Sequence, residues 1–122
     1  MRTPMTDMPI EMKVDEIETR AAEYDGILAR YIDLPAGVDF TPLFQGLPGN
    51  LCQSAHWGYI VEGSIRLRFA DGTEELNSAG DVYYWRAGHT GWTDEGVKFL
   101  EFSPTADIQP VLDHLAKQMG IG

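Results

Sequence analysis

Short stretches in which hydrophobic and polar residues alternate, separated by turn signals, dominate the chain and predict β-strands. The clearest are GILARYIDL (26–34), YIVEGSIRLRF (59–69), DVYYW (81–85) and VKFLEF (97–102). The 13 glycines and 7 prolines among 122 residues add frequent turns, which favours short strands over long helices. The pattern predicts an all-β barrel or sandwich.

A β-hairpin is predicted around the Asp71-Gly72 pair. Asp-Gly is favoured in two-residue type I′ turns. Such a turn pairs Arg66 with Asn77 on a polar face and places Leu76 on the apolar face of the hairpin.

The N-terminal part of the chain is less regular. Residues 1–8 show no periodicity and are expected to form a flexible arm. Ile10, Met12 and Val14 alternate as in a strand, whereas VDEIETRAAEY (14–24) fits a short helix equally well.

An apolar stripe near the C-terminus predicts a helix over 104–119. Its members lie at helical spacing: Ile108, Val111, Leu112, Leu115 and Met119. Ser103 suits the N-cap and Pro104 the first turn, although Pro110 lies deep enough to favour a later start.

Composition and charge narrow the class of protein. With 43% hydrophobic residues, the chain can bury one core, so we expect a single domain over 1–122. The net charge of −10 disfavours nucleic acid and anionic membranes as partners. A single cysteine cannot form an internal disulfide, which favours a reducing, cytoplasmic location.

Three residues are candidate metal ligands. Cys52 and His56 are four residues apart, so they share one face if a strand spans 51–61, and His89 comes from another strand. Thiolate and imidazole suit Zn, Fe, Ni or Cu rather than Mg or Ca. The alternatives are that Cys52 is a small apolar filler, that His56 is a core histidine bonded to a backbone carbonyl, and that His89 faces solvent.

Further residues could complete such a site. Glu95 shares parity with His89 and could be a fourth ligand or a catalytic general base. Nearby aromatic side chains could line a pocket for a small organic molecule, and the candidates are Trp57, Tyr59, Tyr84 and Trp92. Alternatively, these aromatic side chains lie in the hydrophobic core or in a dimer interface.

The segments GYIVEG, IRLRFADGTEEL and AGDVYYWRAGH together resemble the two-motif core of the cupin superfamily, over 49–104. Gly63 and Gly80 match the glycines of the two motifs. The resemblance implies a double-stranded β-helix, or jelly-roll barrel, with a short C-terminal helix. It also implies a homodimer, as is common for small cupins.

The ligand positions of the two motifs are only partly matched. Asn50, Cys52 and His56 occupy the positions of two histidines and a glutamate in the first motif. Glu95 takes the position of the asparagine in the second, and His89 lies two places before that motif's histidine position. The sequence resembles a subgroup of small bacterial cupins without an assigned reaction.

Two functions follow as expectations. The first is a metal-dependent cupin enzyme acting on a small organic molecule, with oxygenation, isomerisation and hydrolysis all open, and with Cys52, His56 and His89 as ligands of a divalent transition metal. The second is a metal-free cupin module that binds or senses a small molecule.

Overall fold

The computed structural model describes residues 1–121, which form eight β-strands followed by one α-helix. The elements are β1 (Ile10–Val14), β2 (Ile17–Tyr24), β3 (Ile27–Leu34), β4 (His56–Phe69), β5 (Glu74–Ser78), β6 (Val82–Trp85), β7 (His89–Trp92), β8 (Val97–Pro104) and α1 (Thr105–Gln118). The all-β prediction with a C-terminal helix is confirmed. No helix within 1–121 combines the length and the apolar character that a membrane crossing requires.

The strands form two antiparallel sheets that share one long strand. The first sheet runs in the order β1-β2-β3-β8-β4-β6, and the second in the order β7-β4-β5. Strand β4 leaves the first sheet at Gly63, which pairs with Val97, and enters the second at Ser64, which pairs with Ser78. Gly63 has φ 78°, and a Cβ there would collide with the carbonyl oxygen of Gly96. Only glycine accommodates this crossing without strain.

The inner faces of the two sheets enclose the main core. Its buried members are Ile32, Leu34, Ile60, Ile65, Leu67, Phe69, Tyr83, Trp85, Val97 and Phe99. A second cluster lies under α1 and contains Leu28, Phe44, Cys52, Ile108, Val111, Leu112 and Leu115. The predicted helical stripe thus packs on the barrel, and each of its buried aliphatic side chains contributes about 1.5–3 kcal/mol.

The predicted hairpin exists, but its register is one residue off. Phe69 and Thr73 flank a three-residue loop, and Gly72 has φ 87°, as in a type I turn followed by a glycine bulge. Arg66 therefore pairs with Leu76 rather than Asn77. A slip of one residue exchanges the two faces: Leu76 is 53% exposed and Asn77 is buried.

The segment 14–24, for which strand and helix were both possible, contains a strand and no helix. Residues 17–24 form β2, which pairs with both β1 and β3. The first eight residues contain a 3₁₀ turn at Met5–Asp7. Arg20 donates hydrogen bonds to the carbonyl oxygens of Thr6 and Met8, and so connects this segment to β2.

The start of α1 differs from the prediction. Pro104 is the N-cap residue and no side chain caps the helix. Ser103, expected as the N-cap, is the penultimate residue of β8 and is fully buried. Its hydroxyl is used elsewhere, in the cluster described next.

Candidate metal centre

Cys52, His56 and His89 converge inside the barrel. One candidate ligand atom from each lies within 4.8 Å of the other two, and all three side chains are buried. His56 is the first residue of β4 and His89 the first of β7. Cys52 lies in the segment before β4 rather than in a continuous strand, and it is fixed by its backbone N–H, which donates to the His89 carbonyl at 2.9 Å.

Hydrogen bonds orient both imidazole rings. His89 Nδ1 lies 2.7 Å from the carbonyl oxygen of Arg86. Because a carbonyl can only accept, Nδ1 carries the proton and Nε2 has a free lone pair. His56 Nδ1 lies 2.6 Å from Ser103 Oγ, which likewise leaves its Nε2 for the cluster. Such partners on the far ring nitrogen are typical of metal-binding histidines.

The protonation states of the three groups follow from burial. Burial, followed by the positive charge of Arg30, lowers the pKa of His56 to about 3. Burial, followed by His56, lowers the pKa of His89 to about 4. Burial raises the pKa of the Cys52 thiol to about 12. At neutral pH the imidazoles are uncharged and ready to bind a cation, whereas the thiol must lose its proton when it does so.

The donor spacing fits a small soft cation. Cys52 Sγ lies 3.4 Å from His56 Nε2. Two ligands at the usual Zn–S and Zn–N distances of about 2.3 and 2.0 Å in a tetrahedron are separated by about 3.5 Å. The pair is therefore already spaced as it would be around a metal.

A buried ion-pair network adjoins the three donors. Glu101 Oε1 lies 3.7 Å from His56 Nε2, and its Oε2 accepts a hydrogen bond from Arg30 at 2.9 Å. Arg30 also contacts Glu11 Oε1, through Nε at 2.9 Å and through its terminal nitrogen at 2.8 Å. These contacts connect His56 through Glu101 and Arg30 to the partly exposed Glu11 on β1.

Sequence reasoning missed Glu101, Arg30 and Ser103 as parts of the site. A signal for two of them was present, because Glu101 and Ser103 share the inward face of β8 with Val97 and Phe99. A carboxylate on an otherwise apolar inward face is rarely buried without a partner.

The cluster opens onto a mostly apolar cavity of about 70 Å³ in the barrel. Its walls come from both sheets, from the segment 40–44 and from α1. Trp85 is one lining residue, and its Nε1 is buried without a hydrogen-bond partner among the described residues. Its ring lies 6.2 Å from His56 and 6.0 Å from His89, measured between centroids.

The structure does not bring Glu95 or Asn50 into the site. Glu95 lies in the exposed turn between β7 and β8, beyond the end of the strand that was expected to carry it. Asn50 is also exposed, and its side-chain oxygen accepts a hydrogen bond from Gly46 N–H. The buried carboxylate beside the histidines is Glu101 instead.

None of the four aromatic candidates lines the cavity. Trp57, Tyr59 and Tyr84 are on the outer face of the first sheet, 48%, 42% and 55% exposed. Trp57 and Tyr59 are odd-numbered positions of the strand that His56 starts, so they point away from the interior. Trp92 is half-buried and stacks with Arg68, whose guanidinium lies 5.5 Å from the ring.

Comparisons with known proteins identify the fold. No protein-family model and no curated protein sequence matches the chain. Among solved structures, it is similar to an RmlC-like cupin from Shewanella frigidimarina, with 16% identity, a TM-score of 0.60, and 84% of this chain and 88% of that chain covered. It is also similar to a protein from Neisseria meningitidis, with 17% identity, a TM-score of 0.54, and coverage of 70% and 81%.

A third similar structure is an oxalate decarboxylase from Lactobacillus farciminis, with 19% identity and a TM-score of 0.58. The alignment covers 82% of this chain but only 31% of the decarboxylase, so the chain corresponds to about one third of that enzyme. Together these likenesses, at low identity, define the architecture. The chain has the cupin fold, as its motifs predicted.

Proposed function

We propose that this cupin binds a divalent transition metal through Cys52 Sγ, His56 Nε2 and His89 Nε2, and that it is an enzyme acting on a small organic molecule in the barrel cavity. The convergence of these three buried donors carries the proposal. A thiolate and two imidazoles favour Zn or another soft-ligand metal. Three protein ligands leave a coordination position for water or substrate, as in catalytic sites.

The buried charges around the site support a cation. Without one, Arg30 carries one positive charge between the buried Glu101 and the partly exposed Glu11, so the network as a whole holds one net negative charge. A divalent ion bound to the Cys52 thiolate brings one net positive charge. The site is then neutral, which lowers the cost of keeping these groups out of water.

Glu101 takes over the acid–base role that was expected of Glu95. Its Oε1 is 3.7 Å from the His56 nitrogen that would bind metal, and Arg30 holds the other oxygen. In that place Glu101 could accept a proton from a bound water or substrate and later return it. A bound metal would supply Lewis-acid or redox chemistry, with oxygenation, isomerisation and hydrolysis as the candidate reactions.

The cavity favours a compact, largely apolar ligand with a hydrogen-bond acceptor. Its walls are mainly aliphatic and aromatic, and the unpaired indole N–H of Trp85 could donate to an oxygen of the ligand. Another similar solved structure, the oxalate decarboxylase of Bacillus subtilis, has Mn(II) centres. The thiolate donor of the present site is less suited to manganese.

Metal analysis of protein purified without a histidine tag tests the proposal. We expect near-stoichiometric transition metal in the wild-type protein and its loss in His89→Gln. His114→Gln is the matched control, because His114 lies on α1 and binds the Gln45 carbonyl outside the site. A site that stays empty after incubation with Zn, Fe, Ni or Cu, or equal metal content in both variants, would contradict the proposal.

A metal-free module that binds or senses a small molecule is the second candidate. The 3.4 Å contact between Cys52 and His56 favours it, since the thiol can donate to the imidazole without any ion. The same metal analysis separates the two functions. Ligand binding by protein that remains metal-free would support the module.

A further inference from the structure

Trp85 carries a buried hydrogen-bond donor that the described part of the chain leaves unused. Its side chain is 3% exposed, and its Nε1 has no acceptor within 1–121. The ring is held in place, because it stacks on Tyr83 with centroids 3.8 Å apart and packs edge-on against Phe99 at 5.6 Å. An unpaired buried N–H costs free energy. Since Trp85 lines the cavity, we expect its acceptor to come from a molecule that enters there.

The charged side chains of the cavity wall are already paired. Arg30 and Glu101 are the only lysine, arginine, aspartate or glutamate side chains among the described residues that line the cavity. One terminal nitrogen of Arg30 contacts Glu101 at 2.9 Å, and its other two nitrogens contact Glu11 Oε1 at 2.9 and 2.8 Å. A carboxylate or phosphate that entered the cavity would therefore find no guanidinium nitrogen without a carboxylate partner.

A metal-loaded site would be balanced in charge before a ligand enters. A divalent ion on the Cys52 thiolate adds one net positive charge. The network of Arg30, Glu101 and Glu11 holds one net negative charge. An uncharged ligand keeps this balance, whereas a carboxylate would leave an uncompensated negative charge in a mostly apolar cavity. The site therefore favours ligands without a charge.

The volume of the cavity limits the size of the ligand. It measures about 70 Å³, whereas a cavity of about 150 Å³ holds benzene. A carbonyl oxygen supplies an acceptor without bringing a hydroxyl donor that would itself need a partner. We propose that the substrate is a small uncharged carbonyl compound whose oxygen accepts a hydrogen bond from Trp85 Nε1, an inference that rests on the metal-dependent function proposed above.

Titrations of zinc-loaded protein with acetone and with acetate test the selectivity for an uncharged ligand. The two molecules have the same number of non-hydrogen atoms and the same planar shape, but only acetate is charged at neutral pH. The readout is the indole N–H signal of Trp85 in NMR spectra, and Trp57 and Trp92, which do not line the cavity, provide control signals. We expect acetone to shift the Trp85 signal and to bind at least ~10-fold more tightly than acetate. Equal or tighter binding of acetate, or a Trp85 signal that acetone never shifts, would overturn the proposal.

A pair of variants tests the role of the indole N–H. Trp85→Phe removes this donor and keeps an aromatic ring in the stack. Tyr83→Phe is the matched control, because Tyr83 lies in the same stack but does not line the cavity, and its hydroxyl donates to the Leu100 carbonyl at 2.8 Å. We expect Trp85→Phe to weaken acetone binding about 3- to 10-fold, the usual loss for one hydrogen bond, and Tyr83→Phe to change it little.

Backbone amide signals report acetone binding in both variants, and circular dichroism shows whether they fold. Equal losses in Trp85→Phe and Tyr83→Phe would contradict the role of the N–H. If Trp85→Phe does not fold, the titrations of the wild-type protein decide.

Metal content separates this inference from the function on which it rests. It is measured in each sample before the titrations. Protein that takes up no metal refutes the proposed function and the substrate class with it. Protein that holds metal and binds acetate as tightly as acetone refutes the substrate class alone.

Discussion

Replacement of Arg30 by methionine should destabilise the protein more than any exposed charge substitution. The side chain of Arg30 is 8% exposed and that of its partner Glu101 is 5% exposed. Burial alone would lower the pKa of Arg30, but Glu101 and Glu11 outweigh it and raise the pKa above its ordinary value. Methionine keeps the apolar stem and removes the charge, so Glu101 is left as an unpaired buried carboxylate.

The expected cost is about 3–5 kcal/mol, the usual loss when one partner of a buried ion pair is removed. Glu11 adds little, because its side chain is 20% exposed and can regain water. Since typical domains are stable by only about 5–15 kcal/mol, urea denaturation in the presence of a chelator should show the loss clearly. The double variant Arg30→Met, Glu101→Gln should recover much of it, because the unpaired charge is gone.

The matched control is Arg86→Met. The Arg86–Asp71 pair is 49% and 59% exposed, so solvent screens it and its loss should change the free energy of unfolding little. A deficit below about 1 kcal/mol in Arg30→Met, or no recovery in the double variant, would refute the reasoning.

Three further outcomes are expected. If Cys52 binds metal as a thiolate, a thiol reagent should label it slowly in metal-loaded protein and faster after a chelator is added, whereas unchanged labelling would exclude it as a ligand. With folded pKa values of about 3 and 4, His56 and His89 stay neutral below pH ~6.5 while the unfolded imidazoles bind protons. Lowering the pH should therefore reduce the free energy of unfolding of the metal-free protein by up to ~1.4 kcal/mol per pH unit for each histidine. A free energy of unfolding that stays constant between about pH 6.5 and 4.5 in urea denaturation would contradict this. Gly63→Ala should lower the free energy of unfolding, measured by urea denaturation, by at least ~2 kcal/mol, because it adds a backbone collision to a positive φ. Gly72→Ala, which also has a positive φ but open space around it, should lower it by only ~1 kcal/mol. Equal losses in the two variants would contradict the role of the collision.

The features predicted correctly from sequence are those set by local chemistry. The period-two pattern located most strands, and alternation along DVYYW places Tyr84 on the face opposite Tyr83 and Trp85. The choice of Tyr84 as a pocket residue was wrong, because Tyr83 and Trp85 are buried and Tyr84 is 55% exposed. The hairpin turn was found, but its register was not, because Asp-Gly serves both the two-residue turn and the three-residue loop. Nothing local to 71–72 decides between them, and the choice reverses the faces of Leu76 and Asn77.

The candidate site was predicted in part for a similar reason. Cys52, His56 and His89 stand out as rare residue types, and the structure brings them together. Glu101 and Arg30 are common residue types on ordinary strands, and their pairing depends on the contact between β3 and β8, which places residue 30 opposite residue 101. That contact joins residues far apart in sequence, so it leaves no local signal.

The long strand β4 has a consequence for how the chain folds. It pairs with β5, β6, β7 and β8, and β8 in turn pairs with β3. Four of the seven strand pairings in the described chain therefore need residues 82–104, and they include the pairings of β8 that connect β1–β3 to β4, so an N-terminal fragment of this chain cannot form the closed barrel. During synthesis, the Cys52–His56 segment must leave the ribosome well before His89 and Glu101 can reach it. Folding should be slow, as is usual for topologies with many distant contacts, and the three buried ligand side chains come together only when β7 has paired with β4.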